Sequence, residues 1–114
     1  MDTTNTAPAR LALKGVTATG DSPVHGCSWV LPVQRADGSW KSGAWNRVAG
    51  KIAYRSRGLH VCGPEQIGYW RGHCKAELVV YVCEYRGQTD AGMHGFAARE
   101  VRLLRVWDGV ETLD

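Results

Sequence analysis

The clearest hydrophobic pattern in the chain is the stretch at residues 76–87, AELVVYVCEYRG. Apolar side chains occupy both alternating sets of positions here, so an extended chain would be apolar on both of its faces. A strand with two apolar faces is typical of the centre of a sheet. Residues 11–17, LALKGVT, form a shorter strand pattern. We therefore predict a central strand at 76–87 and a first strand at 11–17.

The stretch at residues 96–109, FAAREVRLLRVWDG, fits two periods. The apolar residues at 97–107 would line one face of a helix or one face of a strand. We favour the strand, because it would give 76–86 an antiparallel neighbour across a short loop at 88–95.

Proline and glycine residues mark strand ends and turns in the first half of the chain. Residues 27–33, CSWVLPV, are a strand candidate that Pro32 limits to a strand end or a sheet edge. The pair Asp37-Gly38 predicts a hairpin turn or a long loop. Residues 50–62 are expected to be extended.

After Gly63 the spacing of the apolar residues changes from that of a strand to that of a helix. Pro64 suits the first turn of a helix, where its missing N–H would have no partner. Ile67 and Trp70 then follow at helical spacing, and Gly72 is a stop signal. We predict one short helix at 64–71.

These elements predict an α+β fold: a small, largely antiparallel twisted sheet with one short helix packed on it. A chain of 114 residues has room for one domain. The composition of residues 1–10 predicts a flexible N-terminal tail ahead of a single globular domain at 11–114.

No stretch approaches the run of about 18 apolar residues that a membrane span needs. The opening MDTTNTAPAR also lacks the apolar run of a signal peptide. We therefore expect a cytoplasmic protein that does not enter a membrane, and the four cysteines are expected to be reduced thiols. The oligomeric state stays open.

Positive charge is concentrated in the first half of the chain. Residues 1–57 carry eight Lys and Arg against three acids, whereas residues 58–114 carry six against eight. The densest part is 41–57, KSGAWNRVAGKIAYRSR, which contains no acid and which we call the basic segment. Basic and aromatic residues in alternation favour a surface that binds a protein or a nucleic acid, and a solvated loop beside a strand edge is the other interpretation. The candidate binding residues are Trp40, Lys41, Trp45, Arg47, Lys51, Arg55 and Arg57.

The pattern His-x-Cys occurs twice, at His25–Cys27 and His60–Cys62. Residues two apart in an extended chain face the same side, so two such strands could assemble a Cys₂His₂ set suited to zinc. The usual C-x₂-C spacing of zinc sites is absent, and reduced cysteine is also a common core residue. No cofactor is favoured, and zinc is the one that this pattern allows.

Cys62 and His60 also permit a second chemistry. A thiol close to a helix N-terminus has a lowered pKa, and a neighbouring histidine can activate it as a nucleophile. No phosphate loop, metalloprotease motif or nucleophile elbow accompanies the pair. The sequence therefore leaves the enzyme question open and leans against catalysis.

Four short motifs follow one another in a fixed order: GLHVC, a helix with tryptophan, EYRG and REVRLLR. This order resembles an uncharacterised family of small proteins from actinobacteria and their phages. The resemblance spans residues 11–107, and it implies a phage-type accessory protein that binds a host macromolecule. The matching residues are Gly58, His60, Cys62, Trp70, Glu84, Arg86, Gly87, Arg99, Glu100 and Arg102.

We therefore expect a small accessory protein that binds and modulates a larger host macromolecule, with a protein partner favoured and no catalysis of its own. One alternative is a nucleic-acid-binding protein that uses the basic and aromatic residues at 40–57. The other is a small transferase or hydrolase that uses the region of His60 and Cys62.

Overall fold

Two long antiparallel strands lie at the centre of the computed structural model, which describes residues 10–22, 28–73 and 77–113. These are β6 and β7, joined by a tight turn at Met93 and His94. β1 pairs with β6, while β4 and β5 pair with successive parts of β7, and every pairing is antiparallel. β2 and β3 form a separate hairpin. The elements are β1 (Arg10–Val16), β2 (Val33–Gln34), β3 (Trp40–Lys41), β4 (Asn46–Arg47), β5 (Leu59–Val61), α1 (Ile67–His73), β6 (Val79–Gly92) and β7 (Gly95–Val106).

The end of β5 also reaches β1. The backbone N–H of Leu13 donates to the carbonyl of Cys62 at 2.7 Å, and the N–H of Cys62 donates to the carbonyl of Leu13 at 2.9 Å. β5 is thereby hydrogen-bonded to β7 along its length and linked to β1 at its end. This link curls the sheet back toward its first strand.

Hydrophobic side chains cover both faces of the sheet, as two apolar faces on β6 require. One cluster of buried residues includes Cys83, Val101 and Leu103 and lies on what we call the inner face. The opposite, outer face carries a second cluster with Leu13 and Val82. Its remaining members are Cys62, Ile67 and Val80, against which Leu11, Trp70, Leu104, Trp107 and Leu113 pack.

The helix packs on this outer face through Ile67, which is buried, and Trp70, whose indole N–H donates to the carbonyl of His94 at 2.8 Å. Among the described residues α1 is the single helix, so the fold is α+β with very low helix content and a mostly antiparallel sheet. No helix in the described part of the chain is long and apolar enough to cross a membrane.

Several predicted elements are confirmed. β1 occupies the predicted first strand, and β6 is a central strand between β1 and β7. The strand interpretation of 97–107 is also confirmed, because β7 covers these residues up to Val106. The turn at Asp37-Gly38 joins β2 to β3, with Gly38 at a φ of 90°.

Other predictions need correction. Of the candidate strand at 27–33, only Val33 lies in a named strand among the described residues, because Pro32 has no N–H for a ladder. The predicted loop at 88–95 is wrong: β6 continues to Gly92, and its exposed polar residues conceal the strand period. The helix begins at Ile67 rather than residue 64, after a turn.

The predicted segment at 50–62 is extended only in β5. Residues 1–9 of the predicted tail lie outside the described residues, and Arg10 already belongs to β1.

Candidate binding site

The chain pairs with β7 twice, first at β4 in the basic segment and then at β5. Asn46 and Arg47 pair with Val101 and Glu100, and the N–H of Val48 donates to the carbonyl of Arg99 at 2.9 Å. The chain then leaves the edge of β7 and returns to it as β5. We call the intervening residues 49–58 the basic excursion.

The basic excursion has one buried hydrophobic residue, and its cations are exposed. Ile52 is only 3% exposed and forms its apolar base. Lys51, Arg55 and Arg57 are all exposed. The excursion therefore places three positive charges on the surface above a fixed hydrophobic anchor.

Residues 53–57 form a tight turn at the tip of the excursion. The N–H groups of Ser56 and Arg57 both donate to the carbonyl of Ala53, at 3.0 and 2.8 Å, and the N–H of Ala53 donates to the carbonyl of Arg57 at 2.9 Å. Within this turn Arg55 has a φ of 69°, and it is the one non-glycine residue with positive φ in the described part of the chain. A left-handed conformation costs an L-residue with a Cβ about 1 kcal/mol.

Two side chains of the sheet hold consecutive backbone amides of this turn. The N–H of Tyr54 donates to Oδ2 of Asp90 at 2.6 Å, and the N–H of Arg55 donates to Nε2 of His60 at 2.7 Å. Asp90 and His60 both stand opposite Ala97, on β6 and on β5. Residues paired in antiparallel strands share a face, and the small Ala97 between them leaves room for the turn. We call this arrangement the amide clamp.

Tyr54 completes the attachment of the turn. Its ring lies directly over Gly92, where any Cβ would overlap the ring. Its hydroxyl oxygen accepts the N–H of His94 at 3.2 Å, and its ring centroid is 5.5 Å from that of His60. Tyr54 therefore packs against the fold and joins the excursion to the turn between β6 and β7.

Trp45, at the other end of the basic segment, is packed between charged side chains. The guanidinium carbons of Arg86 and Arg102 lie 3.8 and 4.8 Å from its ring centroid. Arg86 pairs with Glu100 at 3.0 Å and Arg102 pairs with Glu84 at 2.8 Å, and each pair stands directly across β6 and β7. The half-buried indole thus forms cation–π contacts within the chain instead of presenting a bare ring.

Arg99 secures the start of the excursion. Its guanidinium donates to the carbonyls of Val48 and Gly50 at 2.9 and 2.7 Å and to Oε1 of Gln88 at 2.8 Å. Opposite Arg99, β6 has a bulge at residues 87–88, with Gly87 at a φ of 84°. Sequence patterns placed Arg99 in a motif but gave no signal of this role, which depends on strand register.

The remaining residues of the predicted site are Trp40 and five basic residues, and all five basic residues are exposed. Trp40 is half-buried in β3, next to exposed Lys41. Arg57 donates to the carbonyl of Ala49 at 3.3 Å. Within the described residues no side-chain hydrogen bond or salt bridge involves the other cations of the basic segment, which are Lys41, Arg47, Lys51 and Arg55.

Of the four predicted zinc ligands, only His60 and Cys62 lie in the part of the chain that the structure describes. His25 and Cys27 lie outside the described residues. Cys62 is 2% exposed and packs in the outer-face cluster, and His60 accepts the N–H of Arg55. Within the described part of the chain, no group of three or more His, Cys, Asp or Glu side chains could hold a metal ion.

The nucleophile hypothesis for Cys62 meets an opposing effect. Desolvation raises the pKa of the Cys62 thiol to about 12, although Lys14 partly offsets this. Cys83, which is fully buried on the inner face, has its pKa raised to about 12 for the same reason. The predicted lowering of the Cys62 pKa by a helix N-terminus is wrong, because burial dominates and α1 begins only at Ile67. A neutral thiol is a poor nucleophile.

Comparison with known proteins adds no relative: the chain matches no protein-family model, no curated protein and no solved structure.

Proposed function

We propose that this chain is a small, non-catalytic accessory protein that binds an acidic surface of a larger protein partner through its basic segment and modulates that partner. The exposed and unpaired state of Lys41, Arg47, Lys51 and Arg55 among the described residues carries this proposal. Other arginines of this fold have partners within it: Arg86 and Arg102 pair with acids, and Arg99 donates to backbone carbonyls. Exposed cations without partners among the described residues are suited to an external anion.

The packing of the aromatic rings supports a protein partner over a single-stranded nucleic acid. Base stacking needs open ring faces beside the cations. Trp45 packs against Arg86 and Arg102, and Tyr54 packs against Gly92, so both rings already have contacts within the chain. Electrostatic complementarity to an acidic protein surface needs no stacking.

A cytoplasmic location and a phage-type role in a host cell belong to the same proposal, and both come from the sequence patterns and the resemblance. The high pKa of Cys62 argues against the alternative of a transferase or hydrolase that uses this thiol. A zinc site would need His25 and Cys27 in addition to His60 and Cys62.

Affinity purification from the native cell with charge-reversal variants tests the proposal. Arg47→Glu/Lys51→Glu changes two cations of the basic segment, whereas Arg35→Glu/Arg71→Glu makes the same charge change at other exposed positions. We expect the wild-type chain and the control pair to retain the same partner protein in mass spectrometry, and the first pair to lose it.

Metal analysis and nuclease treatment of the same sample separate the alternatives. Capture that is lost on nuclease treatment and that falls steeply with salt would instead support nucleic-acid binding. Equal capture by both variant pairs would refute a binding role for the basic segment.

A further inference from the structure

Arg55 occupies a backbone conformation that favours glycine. Its φ is 69°, and the same sign of φ is otherwise met by glycines in the described part of the chain, for example Gly50 and Gly87. Glycine would take this conformation without steric cost. Strained non-glycine residues concentrate at functional sites, where the side chain is needed.

The surrounding structure holds this strained residue firmly. Strain of this kind persists only where neighbouring contacts determine the conformation. Here the amide clamp fixes two consecutive N–H groups, at 2.6 and 2.7 Å from Asp90 and His60. The hydrogen bonds between Ala53 and Arg57 close the turn on the other side. The fold thus fixes the backbone of Arg55 and the direction in which its Cα–Cβ bond leaves the turn.

The Arg55 side chain has no structural use among the described residues. It is exposed, and its guanidinium forms no hydrogen bond or salt bridge with them, while its backbone N–H does. Arg57, by contrast, donates from its side chain to Ala49. An arginine that contributes strain and no side-chain hydrogen bond or salt bridge within the described structure is suited to bind something outside it.

We propose that Arg55 is the central contact of the binding surface and that its guanidinium binds a carboxylate of an acidic protein segment. This inference rests on the proposed function and names its main residue and the group recognised. The planar guanidinium matches a carboxylate with two parallel hydrogen bonds, and arginine is enriched among residues that dominate interface energetics. Lys51 and Arg57 are exposed in the same excursion and add positive charge that attracts further carboxylates.

Substitutions of Arg55 separate its side chain from its backbone. Arg55→Gly removes the guanidinium and relieves the strain, and Arg55→Lys keeps the charge but not the planar fork. Arg71→Ala removes an exposed cation of α1 that forms no hydrogen bond or salt bridge with the described residues, and it serves as the control. Binding is measured by fluorescence anisotropy with a fluorescein-labelled oligoglutamate peptide and with a single-stranded oligonucleotide of equal charge, and melting temperatures are measured in parallel.

We expect Arg55→Gly to raise the melting temperature and to weaken oligoglutamate binding about tenfold, which corresponds to about 1.4 kcal/mol. Arg55→Lys should recover part of the lost affinity, and Arg71→Ala should bind within about twofold of the wild type. A gain in stability combined with a loss of binding is the signature of a residue kept for function.

Five results would overturn the inference. If Arg55→Gly leaves binding intact while Arg47→Glu/Lys51→Glu abolishes it, Arg55 is not central, although the proposed function survives. If neither variant weakens binding, both fail. A lower melting temperature for Arg55→Gly contradicts the strain argument. Tighter binding of the oligonucleotide, or no binding of oligoglutamate by the wild type, refutes the carboxylate partner.

Discussion

The amide clamp provides the most direct test of how the basic excursion is held. Asp90→Ala removes the carboxylate that accepts the N–H of Tyr54 at 2.6 Å. A hydrogen bond to a charged acceptor contributes about 1.5–3 kcal/mol to stability. Asp90 is exposed, and solvent screens its charge, so we take about 1 kcal/mol for this bond. The strained backbone at Arg55 then keeps only the contact to His60 on this side.

A loss of about 1 kcal/mol should lower the melting temperature by about 4 °C in a domain of this size. The same loss also applies to local opening, because the excursion can open without unfolding the sheet. Amide hydrogen exchange measured by NMR should accelerate about fivefold at Tyr54 and Arg55, since 1.4 kcal/mol corresponds to a factor of about ten. Amides in the centre of β6 should change only through the global loss of stability.

Two further variants make the result specific. Asp90→Asn keeps an oxygen that accepts the N–H of Tyr54, so it should retain most of the protection at this amide. Glu77→Ala removes an exposed acid elsewhere and should leave exchange in the excursion unchanged. The reasoning is refuted if Asp90→Ala does not accelerate exchange at Tyr54, or if Asp90→Asn accelerates it as much as Asp90→Ala does.

Three other outcomes follow from burial and hydrogen bonding. Leu103→Ala, at a fully buried position of the inner face, should lower the free energy of unfolding by about 3–5 kcal/mol in urea denaturation, and a loss below about 1 kcal/mol would contradict its core position. In a variant whose other cysteines are alanine, Cys62 should react with a thiol reagent far more slowly in the native than in the urea-unfolded chain, because burial raises its pKa to about 12; equal rates would disprove this. The N–H groups of Val110 and Glu111 lower the pKa of Asp108 from 3.8, so its contribution to stability is complete above the unfolded-state value and is lost as the pH falls through the folded-state value. Asp108→Asn should therefore reduce stability at neutral pH and lose this effect in acid below about pH 4, and a constant effect at every pH would contradict the assignment.

Hydrophobic periodicity was sufficient to predict the centre of this fold. The two apolar faces of residues 76–87 predicted a central strand, and β6 does lie between β1 and β7. The alternation of apolar residues did not predict the part of β6 beyond Gly87, because the residues from Arg86 to Ala91 are exposed and carry no apolar alternation. Only the pairing with β7 shows that the strand continues.

Some features of the candidate site could be predicted from the sequence, and others could not. Charge density along the chain marked the basic segment, since an acid-free run of cations is visible in any window of the sequence. The sequence also placed His60 and Cys62 two residues apart, but it could not show that the thiol is buried or that Nε2 of the imidazole accepts a backbone amide. Burial and hydrogen bonding depend on which other segments cover a residue.

The amide clamp is the feature that tertiary structure alone decided. Asp90 and Ala97 face each other across the β6–β7 hairpin, whereas His60 is far from both in sequence, and the three stand in one row only because β5 and β6 pair with opposite edges of β7 in this register. A shift of one residue in either pairing would turn one of these side chains to the other face and release the turn. The sequence by itself determined where positive charge and strand-forming residues lie, because both are local properties. The register of three strands determined how the turn at residues 53–57 is held and how Arg55 is presented to solvent.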